Sequence, residues 1–225
     1  MSPKGGVGKT TTAMIIASEV VRLGKSVTLI EADPNGHLKN WFEQGRLPSQ
    51  ISCVFDLHPD GSTIVEHIAR AQALSDYVII DTEGTDNQRA YLAAHNCDIV
   101  IIPMQFSAMD LAGAVDAMGR LDAMEDSLGY QIIRTILPTK VSAAIRPASQ
   151  LQTEIELTKA GISVISPGII EKDAFRLMVA NGCLLHDLPR YTNVANIQSA
   201  IDNIQSTFKS IAAFYKRAIS EVHDD

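Results

Sequence analysis

Long apolar runs are what this sequence most plainly lacks. No uninterrupted stretch approaches the ~18–20 residues that cross a bilayer, so a spanning protein is not expected. The opening Met1-Ser2-Pro3-Lys4-Gly5-Gly6 does not read as a secretory signal with an apolar core. A secretory leader is therefore not expected, and a cytoplasmic location is. Cysteine is scarce as well: Cys53, Cys97 and Cys183 stand far apart, in no metal-ligand spacing. They read as reduced thiols. Internal repeats, low-complexity tracts and linkers are also missing, so the 225 residues read as one domain, 1–225. A uniform coat of positive charge is absent too, since the formal net charge is −7. The acidic excess is local, however. Residues 1–129 hold 9 Lys/Arg against 17 Asp/Glu, whereas residues 130–220 hold 10 against 6, before an acidic tail at 221–225. A basic face in the second half stays open, above all where two copies set their patches side by side.

What is present is a globular composition, 46% apolar and 20% charged. Short β-branched runs at Ser26–Ile30, Ile51–Phe55, Tyr77–Ile80, Ile99–Ile102, Ile132–Leu137 and Ile162–Ile165 predict strands. Helical spacing separates most of them. Thr10–Leu23 is apolar along Ala13, Ile16, Ala17, Val20 and Val21 and stops at Gly24; Leu111, Val115, Met118 and Leu121 line a helix expected after Ser107. Alternating strands and helices predict an α/β fold, a mostly parallel sheet with helices on both faces in three layers. A C-terminal amphipathic helix is expected within 191–221, where Ile197, Ile201, Ile204, Phe208, Ile211, Tyr215 and Ile219 form one stripe. A membrane-seeking helix would be basic on its polar face, but this one runs into Glu221, Asp224 and Asp225. Packing on the domain is the expected role.

The decisive stretch is Lys4-Gly5-Gly6-Val7-Gly8-Lys9-Thr10-Thr11 at the mouth of the first apolar helix. Glycines let the backbone wrap closely, so successive N–H groups and the helix N-terminus point at phosphate oxygens. Lys9 then reaches the β/γ-phosphates and the Thr10 hydroxyl ligates Mg²⁺, with Gly5, Gly6, Val7, Gly8, Lys9, Thr10 and Thr11 as the nucleotide cradle. Tyr77–Ile80 leads into Asp81, a buried strand ending in a carboxylate, which places Asp81 near that Mg²⁺. Asp33-Pro34 follows the run at Ser26–Ile30 and reads either as a turn or as a second carboxylate of the site.

Pro3 stands where the standard loop has glycine, and Lys4 opens the motif; this form resembles the deviant Walker A loop of the ParA/MinD superfamily of P-loop NTPases. The resemblance implies ATP with Mg²⁺, hydrolysis to ADP and phosphate that is weak and partner-stimulated, and a nucleotide-sandwich homodimer. In that dimer Lys4 would contact the partner's nucleotide, acting in catalysis beside Lys9 and Asp33 much as an arginine finger does. It also implies that Asp33 orients or deprotonates the attacking water and shares the metal with Thr10 and Asp81. Glu31-Ala32-Asp33-Pro34-Asn35 is similar to the family's Asp-x-Asp-Pro-Gln, with Glu31 and Asn35 as departures, and Glu83-Gly84 stands where relatives often have proline. Thr139 and Lys140 match positions near the adenine.

Compact size and the absence of an N-terminal extension look most like small ParF-type plasmid-partition proteins. On that resemblance the ATP-bound dimer binds nonspecific DNA, candidates being Lys140, Arg146, Lys172, Arg176, Lys209, Lys216 and Arg217. A centromere-binding or adaptor protein would stimulate hydrolysis, driving plasmid or chromosome partition or cargo positioning on the nucleoid. Alternatives are a MinD-like membrane-positioning ATPase, a non-hydrolysing DNA-transfer adaptor, and an electron carrier like the nitrogenase iron protein, which needs paired interface cysteines. One element is short: only Met1-Ser2-Pro3 precede Lys4, against ~5–6 residues in an ordinary strand. The first central strand is therefore expected to be truncated or missing.

Overall fold

The computed structural model describes residues 6–224 except 57, 59–60, 84–86 and 144–146. Five strands alternate with eight α-helices in this stretch. In chain order they are α1 (Lys9–Arg22), β1 (Val27–Ala32), α2 (His37–Glu43), β2 (Ile51–Phe55), α3 (Ile64–Leu74), β3 (Tyr77–Thr82) and α4 (Gln88–His95). Then follow β4 (Val100–Met104), α5 (Ala108–Leu128), β5 (Arg134–Pro138), α6 (Ala148–Lys159), α7 (Asp173–Ala180), a 3₁₀ turn (Leu185–Arg190) and α8 (Ile197–Asp224).

Every pairing is parallel, as connections through helices require. β1 lies between β2 and β3, with Leu29 opposite both Cys53 and Ile79. β4 pairs with β5, Ile102 opposite Ile136. Among the described residues these are two sheets, so β3 and β4 each have one ladder partner. β1 is buried throughout, whereas Val78, Ile79 and Ile80 of β3 are only half-buried, as befits a strand paired on one side. Residues 1–5, on which the expectation of a truncated first strand rests, lie outside the described residues. Helix α1 touches β1, β3 and β4 and so spans both sheets.

Alternation along β1 divides the core. Leu29 packs with α1, α2, α7 and α8, while Ile30 and Ala32 meet Ile64, Ile68 and Ala93 of α3 and α4 on the opposite face. A third cluster joins β4 and β5 to α5 and α6. Helices therefore cover both faces, the α/β/α arrangement expected. The stripe on α8 faces inward as expected: Ile204 and Ile211 are buried and Phe208 meets the Tyr77 ring at 6.3 Å.

Three expectations are corrected. Ile162–Ile165 forms no strand; only an isolated bridge links Val164 to Ile136, because its backbone bonds β5 at Ile136 alone, from Ile136 N to the Ser163 carbonyl and from Ile165 N to the Ile136 carbonyl, both at 2.9 Å. Helix α8 starts at Ile197 rather than 191, after a turn in which Asn196 adopts φ +54°. On α5, Val115 is 48% exposed, and the buried stripe is Ala114, Ala117, Met118 and Leu121, since alanines let this helix lie close on its sheet. No described helix is long and apolar enough to cross a membrane.

Candidate functional site

The C-terminal ends of β1 and β3 meet the N-terminus of α1, the usual ligand crevice of an open parallel sheet. Gly8 caps α1 with φ +95°, a left-handed conformation that costs glycine little, and its carbonyl accepts from Thr12 N at 2.8 Å. This leaves Lys9, Thr10 and Thr11 as the first turn of the helix, where N–H groups lack intrahelical acceptors. Lys9 is half-buried, and burial lowers its pKa against the opposing fields of Asp81, Asp33 and Glu83. All three carboxylates therefore act electrostatically on one ammonium group.

Asp81 is 3% exposed at the end of β3. Burial pushes its pKa up to about 6, against a hydrogen bond from the Thr10 hydroxyl; the charges of Asp33 and Glu31 raise it further and Lys9 lowers it. Its Oδ2 is buried and has no hydrogen-bond partner among the described residues. An acceptor held dry beside a hydroxyl and an ammonium suits a hard cation, so these residues fit Mg²⁺. No group of three or more His, Cys, Asp or Glu converges among the described residues. A Mg²⁺ held by one or two protein oxygens and by phosphates needs no such cage.

Asp33 follows β1 and is 8% exposed. Its Oδ1 accepts from Asn35 N at 2.9 Å and Asn35 Nδ2 at 2.7 Å, an Asx turn that fixes the carboxylate whose charge acts on Lys9. The turn and the site are thus one structure. Glu31, a departure from the family pattern, is fully buried, and its two oxygens accept from Leu38 N and Lys39 N, both at 2.9 Å. It caps α2 from within β1 and anchors the segment that carries Asp33.

Three side chains grip the phosphate loop from β4 and β5. Gln105 Nε2 donates to the Gly6 carbonyl at 3.0 Å, Lys140 Nζ to the same carbonyl at 2.9 Å, and Thr139 Oγ1 to the Val7 carbonyl at 2.7 Å. Lys140 does so from a left-handed backbone, φ +51°. Gly168 supports this turn from below: a Cβ there would fall 2.5 Å from the Pro138 carbonyl oxygen.

Placement of the remaining sequence candidates is uneven. Gly6, Val7, Gly8, Lys9, Thr10, Asp33 and Asp81 come together. Lys4, Gly5 and Arg146 lie outside the described residues. Lys172 donates to Ser199 Oγ at 3.0 Å, and exposed Arg176 pairs with Glu171 and Asp173 at 3.2 and 3.3 Å. Lys209, Lys216 and Arg217 are exposed on α8. Lys216 is about 25 Å along the axis from Ser199 at 1.5 Å per residue, so Lys172, which bonds Ser199, and Lys216 lie apart on one protomer. Glu31's capping role, Gln105 and Arg89 (treated below) were missed. Only Glu31 carried a signal, as an acidic residue in the wrong size for its motif.

A family model described as VirC1 protein matches residues 1–222. The chain is 29% identical over 205 residues to Protein ParA of Rhizobium radiobacter, covering 91% of this chain and 90% of that one. It is 26% identical over 212 residues to Maintenance of carboxysome distribution protein A of Halothiobacillus neapolitanus, covering 92% of each. Among solved structures it resembles a Cyanothece McdA variant in complex with ATP, with TM-score 0.66 at 15% identity, over 94% of each chain.

Proposed function

We propose that this chain, which belongs to the VirC1 protein family within the ParA/MinD superfamily, is an ATP-driven switch that binds nonspecific DNA as a dimer. Its reaction is ATP + H₂O → ADP + phosphate, slow until a centromere-binding or adaptor protein stimulates it. The observation that carries this reading is the buried, unpartnered Asp81 Oδ2 beside Thr10 and Lys9 at the mouth of α1. The names of the relatives, a ParA protein and a carboxysome-distribution protein, support partition or cargo positioning as the task.

The roles follow from the site. N–H groups of Gly6–Thr11, with Gly5 before them, bind phosphate, and Lys9 neutralises charge developing on the γ-phosphoryl group. Thr10, Asp81 and Asp33 would hold Mg²⁺, which when bound screens the phosphate oxygens. Asp33, fixed by its Asx turn, orients the water. Gln105, Thr139 and Lys140 keep the loop preformed, and Thr139 and Lys140 flank the base. Lys4 reaches the nucleotide of the second copy, so hydrolysis requires the dimer. Lys140, Arg146, Lys172, Arg176, Lys209, Lys216 and Arg217 supply phosphate contacts, doubled when two copies close on the nucleoid. Membrane docking of the MinD kind would need a free stripe on α8, and there Ile204 and Ile211 are buried.

Binding to nonspecific duplex DNA at fixed moderate salt, with ATP against ADP, tests this. Binding selective for ATP, steeply weakened by salt and lost in Lys4→Ala, is the expected result. No binding with either nucleotide removes the DNA reading; DNA binding without steady-state ATP turnover would favour a non-hydrolysing adaptor instead.

A further inference from the structure

Arg89 sits in the first turn of α4, directly after the segment that leaves Asp81, and its side chain is 8% exposed. Buried arginine is rare unless its charge and donors are used. Here Nη1 donates to the Ala32 carbonyl at 2.9 Å and Nη2 to the His58 carbonyl. Nε stands 4.0 Å from Oδ1 of Asp56, a carboxylate with no exposed surface at the end of β2. Asp56 is itself held by Thr63 Oγ1 and His67 Nδ1, both at 3.1 Å, and its N–H donates to the Glu31 carbonyl at 2.8 Å. Gly61 permits the approach, because a Cβ there would lie 2.9 Å from Arg89.

The Ala32 carbonyl is the last backbone acceptor before Asp33, and Glu31 on its other side caps α2. At its own end, α4 is joined to the Asp81 segment through Asn87, whose Oδ1 accepts from Ala90 N at 2.9 Å and whose Nδ2 donates to Glu83 Oε2 at 3.1 Å. We infer that Arg89 is a positioning residue for hydrolysis: it ties α4, and through Asn87 and Glu83 the end of β3, to the backbone at Asp33, so that the two carboxylates move as one unit. Its planar fork spans two carbonyls, one ending β1 and one in the loop after β2, which a lysine's single ammonium on a flexible stem cannot do. Asp56 balances the charge that this fork carries into the interior.

The inference rests on the proposed ATPase reading but is tested apart from it. The sequence has one tryptophan, Trp41, buried on α2 downstream of Asp33 and Glu31, and its emission reports on that segment. In the full-length chain, ATP affinity, kcat, KM and the change in Trp41 emission on ATP binding are measured for wild type and Arg89→Lys. The same measurements on Asp56→Asn/Arg89→Met, which removes both buried charges together, guard against misfolding of the single variant. Expected are ATP affinity and KM within about threefold of wild type, kcat lower by at least about tenfold, and loss of the Trp41 response. A residue that merely stabilises the fold would lower Tm and leave kcat per folded molecule unchanged. Wild-type kcat, or an undiminished Trp41 response, in either folded variant overturns the inference. A wild-type chain that binds ATP without hydrolysing it defeats the ATPase reading alone, and the Trp41 response then decides the role of Arg89.

Discussion

At Asp81, burial opposes ionisation most strongly, the Thr10 hydroxyl favours it, and the carboxylates of Asp33 and Glu31 oppose it again. The folded pKa of about 6 lies above the ordinary 3.8, so folding favours the neutral acid. Its stabilising contribution is full below about pH 4 and is lost as pH rises through 6. Near pH 7 the nucleotide-free protein therefore carries a carboxylate whose ionisation costs about 3 kcal/mol, from two pKa units at 1.36 kcal/mol each. Asp81→Asn should raise the urea midpoint of the nucleotide-free chain at pH 7 by an amount equivalent to ~1–3 kcal/mol, and flatten the fall in stability between pH 4 and 6. A variant less stable than wild type at pH 7 would show that the charge is not strained. At this scale the sequence was readable where chemistry is local in the chain. Lys9 and Thr10 sit inside one motif, and Asp33 and Asp81 each end an apolar run. Arg89 was not readable, because its acceptors at Ala32 and His58 are 57 and 31 residues away.

Helices here are placed by side chains from outside them as much as by their own spacing. α2 is only seven residues and has a glycine at its N-cap with no side-chain bond; Glu31 in β1 supplies the acceptor instead. A carboxylate at a helix N-terminus gains from the dipole as well as from two hydrogen bonds. Glu31→Gln keeps the volume but has one acceptor oxygen and no charge. It should cost about 1–3 kcal/mol in urea unfolding and shift Trp41 emission toward that of exposed indole. Unchanged stability would mean that the cap is dispensable. α8 is held similarly: Asn203 Nδ2 donates to the Gly168 carbonyl at 2.9 Å, Thr207 Oγ1 to the Pro167 carbonyl at 3.1 Å, and Ser210 Oγ to the Ser166 carbonyl at 2.7 Å. The stripe predicted that α8 would pack but not that it would clamp the 166–170 segment. That segment in turn seats Pro138-Thr139-Lys140 against the loop, through Ile169 N to the Pro138 carbonyl at 2.8 Å. Periodicity identifies a face, and tertiary contact decides its partner.

Across the whole molecule, alternating strands and helices gave the α/β/α layering, and charge counts gave an acidic first half with a basic second half. Counting charge could not show that Lys172 and Lys216 lie apart on one protomer, since that depends on where α7 and α8 come to rest. The described strands form two sheets joined by the cover of α1, and the glycine-rich loop lies between them, gripped by Thr139 and Lys140 after β5, with Asp33 after β1 and Asp81 at the end of β3 on its other side. A nucleotide bound there would link the sheets, so Mg²⁺-dependent nucleotide binding is the property on which the proposed switch depends. The most direct test is isothermal titration of ATP into wild type and Asp81→Asn, each with and without Mg²⁺. Mg²⁺ is expected to tighten ATP binding to the wild type at least about tenfold and to leave Asp81→Asn unaffected. ATP binding to the wild type that is absent, or equal with and without Mg²⁺, would contradict the proposed switch.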